Sequence, residues 1–339
     1  MRLRHVWLAL LTLLMMPLPA CVGAEQKAAM IEGKTMGTTF HITVVTKADT
    51  VDLERRINER LAQINRSMST YDPESEISRF NQTDAGRPFP VSADFLQVMT
   101  VAAKLHALTD GAWDGTVNPL VNLWGFGSRK VAPRVPDPKE IDALLPDVGF
   151  RHITVSKDAT LSKDLGRVSV DLASIAKGYG VDQAAAVISA SGIDHFIVEI
   201  GGEVYAKGLR PDGKPWRIGI NTPKPMAGAT EVYKVVALSD RALATSGDYR
   251  IFFMSGGRQY AHILDPRTGR AVENGVVSAS VIAPTCTFAD GLATALVVMG
   301  PEKGLALVNR LPDVECLIIV EDGGGTFVEH PSRGFRPEP

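Results

Sequence analysis

Phe40, Ile42 and Val44 alternate with polar neighbours, which predicts a strand over 38–46. From 52 to 66 the period changes: Leu53, Ile57, Leu61 and Ile64 recur every three or four positions, the spacing of one helix face. Ser92 precedes Leu96, Met99, Ala103 and Leu105, so it caps a second helix, which Gly111 ends. Gly125, Gly127, Pro133, Pro136 and Pro138 make 125–138 a long loop. A third helix spans about 173–191 and stops at Gly192. Strands then crowd together. His195–Ile200 and Trp216–Ile220 flank the turn signal Asp212-Gly213, and Glu231–Leu238, Arg250–Met254, Gln259–Leu264 and Val276–Ala283 follow. A helix over about 288–299 precedes Pro301, which suits the first turn of another. Leu317–Val320 and Thr326–Glu329 close the chain around Asp322-Gly323-Gly324-Gly325.

Helices and mostly antiparallel strands therefore mix without regular βαβ alternation, which predicts an α+β fold rather than a doubly wound sheet. No Pro/Ser-rich linker divides 35–330, so it reads as one unit, with 21–34 a polar tether and 331–339 a tail. Hydrophobic residues at 45% supply a core. The balance of 36 Lys+Arg against 38 Asp+Glu, with pI ≈ 6.4, gives no basic excess for nucleic acid. Three cysteines exclude a disulfide-stapled scaffold and a Cys-only zinc site. Cys286 and Cys316 read as small buried hydrophobes, although pairing in an oxidising compartment stays open.

Residues 1–20 have the form of a signal peptide: Arg2 and Arg4, then an apolar run from Val6 to Met16 that is too short to span a bilayer. Leu18-Pro19-Ala20-Cys21 resembles a bacterial lipoprotein box, with Cys21 as the acylation point and membrane anchor; ordinary cleavage after Ala24 is the alternative. Either reading exports the chain, the first to the periplasmic face of a bacterial membrane.

Several runs carry candidate chemistry. Asp171 lies just before the third helix, and Ser174 and Lys177 share one of its faces, a start that can hold an anion or simply be a capped, solvated helix end. Asp290 and Thr294 point the same way from an otherwise apolar helix. A carboxylate beside a hydroxyl suits Mg²⁺, and an N-capping Asp with a back-bonded Thr is the alternative. His262 ends a strand before the turn Asp265-Pro266-Arg267-Thr268-Gly269, which makes it a candidate base or a structural histidine. Gly111–Leu120 and Glu199-Ile200-Gly201-Gly202-Glu203 have the look of ligand loops.

Together these runs resemble the ApbE family of bacterial flavin transferases. The resemblance rests on Lys34-Thr35-Met36-Gly37-Thr38-Thr39, Met68-Ser69-Thr70-Tyr71, Ser75–Asn81, Asn118–Gly127, Asp171–Asp182, Val198–Glu203, Ala244–Arg250, His262–Gly269 and Ala289–Gly300, in order over about 35–300. It implies an FAD:protein FMN transferase that cuts the FAD pyrophosphate with Mg²⁺. FMN would pass to a threonine or serine hydroxyl and AMP would leave. The expected acceptors are flavin-carrying subunits of membrane redox complexes. Carried over by position, Met36, Tyr71, Ala112, Trp113, Asp114, Asp171, Lys177 and Leu264 would line FAD, partly through backbone atoms. Ser174, Asp290 and Thr294 would surround the metal, and His262 is the candidate base. Ala293 stands where some members carry an acid, which would remove one metal ligand. Two competing readings remain: an FAD pyrophosphatase giving free FMN and AMP, and a non-catalytic FAD-binding lipoprotein. Storage needs neither Asp290 and Thr294 nor His262, and the G-x-G-x-x-G fingerprint of Rossmann redox proteins is absent.

Overall fold

The computed structural model describes residues 28–129, 131–224 and 231–338. Eight strands form a sheet whose spatial order is chain order: β1 (Ala28–Thr35), β2 (Thr38–Val45), β3 (Phe196–Ile200), β4 (Glu203–Lys207), β5 (Arg241–Gly247), β6 (Val276–Ala283), β7 (Glu315–Glu321) and β8 (Phe327–Pro331). Every neighbouring pair is antiparallel. Four long helices are α1 (Val51–Met68), α2 (Ala93–Leu108), α3 (Ala173–Ala190) and α4 (Cys286–Val308). The fold is thus α+β, as the mixture of periods predicts.

The strand alternation decides what each face meets. Val198, Ala244, Ala279 and Val281 pack with α3 and α4 in the main core. Val204, Ala206, Leu243 and Leu317 point the other way, against a hairpin of Trp216–Asn221 and Val232–Leu238 and against Phe335. With both faces covered, all of β6 is buried. α4 is long and apolar enough to cross a membrane by length and composition, but 61% of its apolar window is buried against these strands. Gly300 leaves the helical region at φ 76°, and Pro301 restarts the helix beyond it. Cys286 and Cys316 are free and buried.

Two expectations are corrected. Residues 28–34 are not a tether, because β1 pairs with β2 from Ala28↔Val45 to Thr35↔Thr38. β1 is an edge strand that buries only Ile31 and Thr35, too few positions to show a period. The segment from 331 is not a free tail. The Ser332 N–H donates to the Cys316 carbonyl at 2.8 Å, and Phe335 is buried in the second core. A lone aromatic has no periodicity to reveal it. The strands on either side of the Asp212-Gly213 turn lie in different sheets. Gly201 (φ 60°) and Gly202 (φ 106°) turn β3 straight into β4, which glycine alone does without strain. The expected signal peptide and Cys21 lie outside the described residues.

Candidate active site

Every residue carried over by the resemblance lines one cavity of about 430 Å³. The expected flavin contacts Met36, Tyr71, Ala112, Trp113, Asp114, Asp171, Lys177 and Leu264 are there, as are Ser174, Asp290, Thr294 and His262. Two hairpin tips, the start of α3, the first half of α4 and the loop after α2 converge on it.

Met36 reaches the cavity from the β1–β2 turn. It has φ 50° and Gly37 φ 74°, the two positive values of a tight hairpin turn. A side chain in that region costs about 1–2 kcal/mol, so Met36 stores strain at the cavity rim. Gly180 makes room for it: a Cβ there would lie 2.8 Å from the Met36 Cε.

The Ala112–Asp114 loop is fixed from behind. Asp114 Oδ1 accepts from the Thr116 N–H (2.8 Å) and hydroxyl (2.6 Å), Oδ2 accepts from the Phe150 N–H (2.9 Å), and His106 Nδ1 lies 3.1 Å from Oδ2. Burial opposes its charge, but His106 and Thr116 hold the carboxyl below the usual range. Three hydrogen bonds from its own fold thus hold this carboxylate in place. The Trp113 Nε1–H donates to Ser174 Oγ at 3.0 Å, tying the loop to α3.

Glycine also lets α3 and α4 touch. A Cβ on Gly178 would stand 2.4 Å from the Cys286 carbonyl oxygen. That approach lets the Gly178 N–H donate to Asp290 Oδ2 at 2.9 Å. In a regular helix this N–H would serve the Ser174 carbonyl, which therefore has to share its donor. Asp290 is not the N-cap of α4. Asp182 fills that role from α3, accepting from the N–H groups of Cys286 and Thr287, both at 2.8 Å. Asp290 sits one turn inside the helix, 2% exposed, with a pKa that burial raises against the pull of Lys177. The Thr294 hydroxyl meets that of Ser246 at 2.8 Å, which ties α4 to β5. Asp171 caps the start of α3, its Oδ1 accepting from the Ala173 N–H at 2.8 Å.

Lys177 reaches Glu203 on β4, with Nζ 2.6 Å from Oε1. Burial opposes the ammonium, but Asp290 and Glu203 more than offset it and keep Lys177 charged. Burial and the Asp290 charge push Glu203 up to about 8. Its Oε2 is buried with no hydrogen-bond partner.

His262 is held neutral: burial first, then the Lys177 charge, lower its pKa. Its Nδ1 lies 3.2 Å from the Ile251 carbonyl oxygen. A carbonyl only accepts, so Nδ1 carries the proton and Nε2 keeps a bare lone pair, the form of a general base.

Among the described residues no three His, Cys, Asp or Glu side chains form a metal cluster. The oxygen donors still fit Mg²⁺, which keeps several waters and binds through one or two carboxylates. Asp290, the Thr294 hydroxyl and the under-served Ser174 carbonyl are such donors. The sequence reading assigned no role to Glu203, Thr38, Ser246 or Arg250, all of which line the cavity. All four lie inside runs that carry the resemblance, but nothing in their spacing marks a side chain that faces the cavity.

Residues 36–318 match the ApbE family. The chain belongs to the ApbE family. Its relatives include proteins named FAD:protein FMN transferase from Vibrio cholerae, 44% identical over 99% of both chains, and from Haemophilus influenzae, 42% identical over 92% of both. That of Escherichia coli is 36% identical over 87% of this chain and 84% of its own. The ApbE fold is shared in three dimensions too. The flavin transferase ApbE from Vibrio cholerae superposes with a TM-score of 0.84 at 43% identity, over 91% of this chain and 98% of that one. The apo flavinyl transferase ApbE of Pseudomonas stutzeri gives 0.82 at 36% identity, over 91% and 95%.

Proposed function

We propose that this ApbE-family chain is an FAD:protein FMN transferase that cleaves the FAD pyrophosphate and passes FMN to a threonine or serine hydroxyl of a protein, releasing AMP. One observation carries the reading: residues from nine separated runs of sequence meet in a single cavity that pairs an aromatic flank with a buried charged end. Tyr71, Trp113 and Phe126 supply the flat apolar surface a flavin needs, and Lys177, Asp290, Ser174 and Thr294 supply polar atoms for phosphates and a cation.

The reaction requires a nucleophile, charge neutralisation and alignment. His262 Nε2 takes the proton of the acceptor hydroxyl. The freed oxygen attacks the phosphorus attached to riboflavin, and the bond to the AMP phosphate breaks. Lys177 places a positive charge beside the phosphoryl oxygens. Asp290, Thr294 and Ser174 would hold Mg²⁺, which when bound supplies Lewis-acid polarisation of a phosphoryl oxygen. The nucleophile belongs to the partner, so no Ser or Cys of this chain needs activation.

The leader and the resemblance support two further readings. The chain is exported and anchored through a lipid on Cys21 at the periplasmic face, and, as the family resemblance implies, its acceptors are flavin-carrying subunits of membrane redox complexes. The decisive assay incubates such a subunit with the soluble 22–339 fragment, FAD and Mg²⁺, and reads intact mass and nucleotides together. A gain equal to FMN less water, with AMP released and EDTA blocking both, is expected. AMP and free FMN with an unmodified acceptor would refute the transfer and favour the pyrophosphatase.

A further inference from the structure

Three ionisable groups meet at the inner end of the cavity, Lys177, Glu203 and Asp290, two carboxylates to one ammonium. Asp290 is served by the Gly178 N–H. Glu203 is 3% exposed, and only its Oε1 has a partner, Lys177. Its Oε2 is buried and unpartnered, and Glu203 is one of the residues that line the cavity. The position is built: Gly201 and Gly202 turn the chain so that β4 begins with Glu203 on the face that looks at α3 and α4. A Cβ on Gly201 would lie 2.8 Å from the Thr38 side chain and 3.4 Å from Lys177 Cδ. A buried carboxylate oxygen without a donor is rare in a folded protein and marks a place where a ligand supplies one.

We propose that Glu203 is a positioning residue of the cation site: Oε1 fixes Lys177 at the cavity wall, and the bare Oε2 accepts a hydrogen bond from a water on the cation that Asp290 holds. The proposal rests on the cation reading above. Mg²⁺ binds with few protein ligands and several waters, so carboxylates that grip those waters set much of its affinity.

The test is Mn²⁺ binding to the FAD-free protein, read by the loss of the free-ion electron paramagnetic resonance signal. Asp290→Asn should abolish binding. Glu203→Gln, nearly isosteric, should weaken it by about 10–100-fold, while FAD affinity measured in EDTA stays the same or tightens. A merely structural glutamate would loosen FAD as well. Glu203→Asp keeps the charge but withdraws it by one methylene. It should fall between wild type and Gln, and it carries the test if the Gln variant does not fold. Wild-type protein that binds no Mn²⁺ would overturn the cation reading itself. Wild-type binding with Glu203→Gln and Glu203→Asp unchanged would overturn the role of Glu203 alone.

Discussion

Gly178→Ala tests whether the α3–α4 contact builds the site. The added Cβ would stand 2.4 Å from the Cys286 carbonyl oxygen, 2.7 Å from its carbon and 2.8 Å from the Asp290 Cβ. Ordinary contact begins at 3.4 Å, so the helices must part locally by about 1 Å. Two of the three obstructing atoms are backbone in the buried first turn of α4, and no rotamer change removes them. Alanine gains about 1 kcal/mol of helix propensity over glycine. Against that, overpacking costs about 1–3 kcal/mol, and drawing the Gly178 N–H away from a buried carboxylate forfeits about 1.5–3 kcal/mol more. The contacts are neighbours, so these figures overlap, and a net loss of about 2–4 kcal/mol is expected. The functional loss is larger in proportion, because displacing a catalytic group by about 1 Å lowers rates by about 10²-fold. A urea midpoint and the initial rate of FMN transfer at saturating FAD and Mg²⁺ measure both. Wild-type stability and rate in this variant would refute the argument that glycine is required here for Asp290 to reach its donor.

Other expectations concern single side chains. Asp290→Ala should lower transfer by at least about 10²–10⁴-fold, and near-normal turnover in millimolar Mg²⁺ would sink its assignment. His262→Gln should cost about 10²–10⁴-fold and remove the acid limb of the pH profile of kcat/KM. Because burial lowers the His262 pKa, that limb in the wild type should lie below 6.5; a midpoint above 6.5 would contradict the neutral base. Glu203 retains its proton to about pH 8 in the folded chain and to about 4.5 unfolded, so metal-free stability falls as pH rises through that window. Glu203→Gln should therefore be the more stable protein in EDTA at pH 8, with the gap closing toward pH 4.5, and a melting curve in which wild type is more stable at pH 8 would reverse the assignment.

How much of this was legible in the sequence depends on whether a residue's neighbours are local. α1 was readable because Leu53, Ile57, Leu61 and Ile64 all face one core, and all four are buried. α2 was half readable: Met99 and Leu105 are buried, but the remaining buried positions are Phe95, Val98 and Ala102 rather than Leu96 and Ala103, one residue out of phase. β4 and β5 were missed as strands. Their inner faces carry Glu203 and Ser246, so a polar cavity interrupts the hydrophobic alternation that would have announced them. For the same reason the site was recognised as a set of runs but not as geometry. The pairs that assemble it are Gly178 with Asp290, Lys177 with Glu203 and Trp113 with Ser174, and each joins residues far apart in the chain.

Those same pairs show why the site sits where the fold can support it. A strained Met36, two buried carboxylates sharing one ammonium, and a carboxylate oxygen without a donor would each destabilise an exposed loop or a small core. Here they are flanked by β6, buried throughout, and by α4, whose apolar residues pack between the sheet and α3. The rigid contact is what keeps Asp290, Lys177 and Glu203 from relaxing apart: glycine at 178 lets α3 approach the backbone of α4, and glycine at 180 and 201 leaves room for the Met36, Thr38 and Lys177 side chains. An active site of this kind is a place where local rules of propensity and burial are broken together. In this chain, residues whose burial defies their polarity, such as Asp290 and Glu203, are therefore a better guide to function than any one motif.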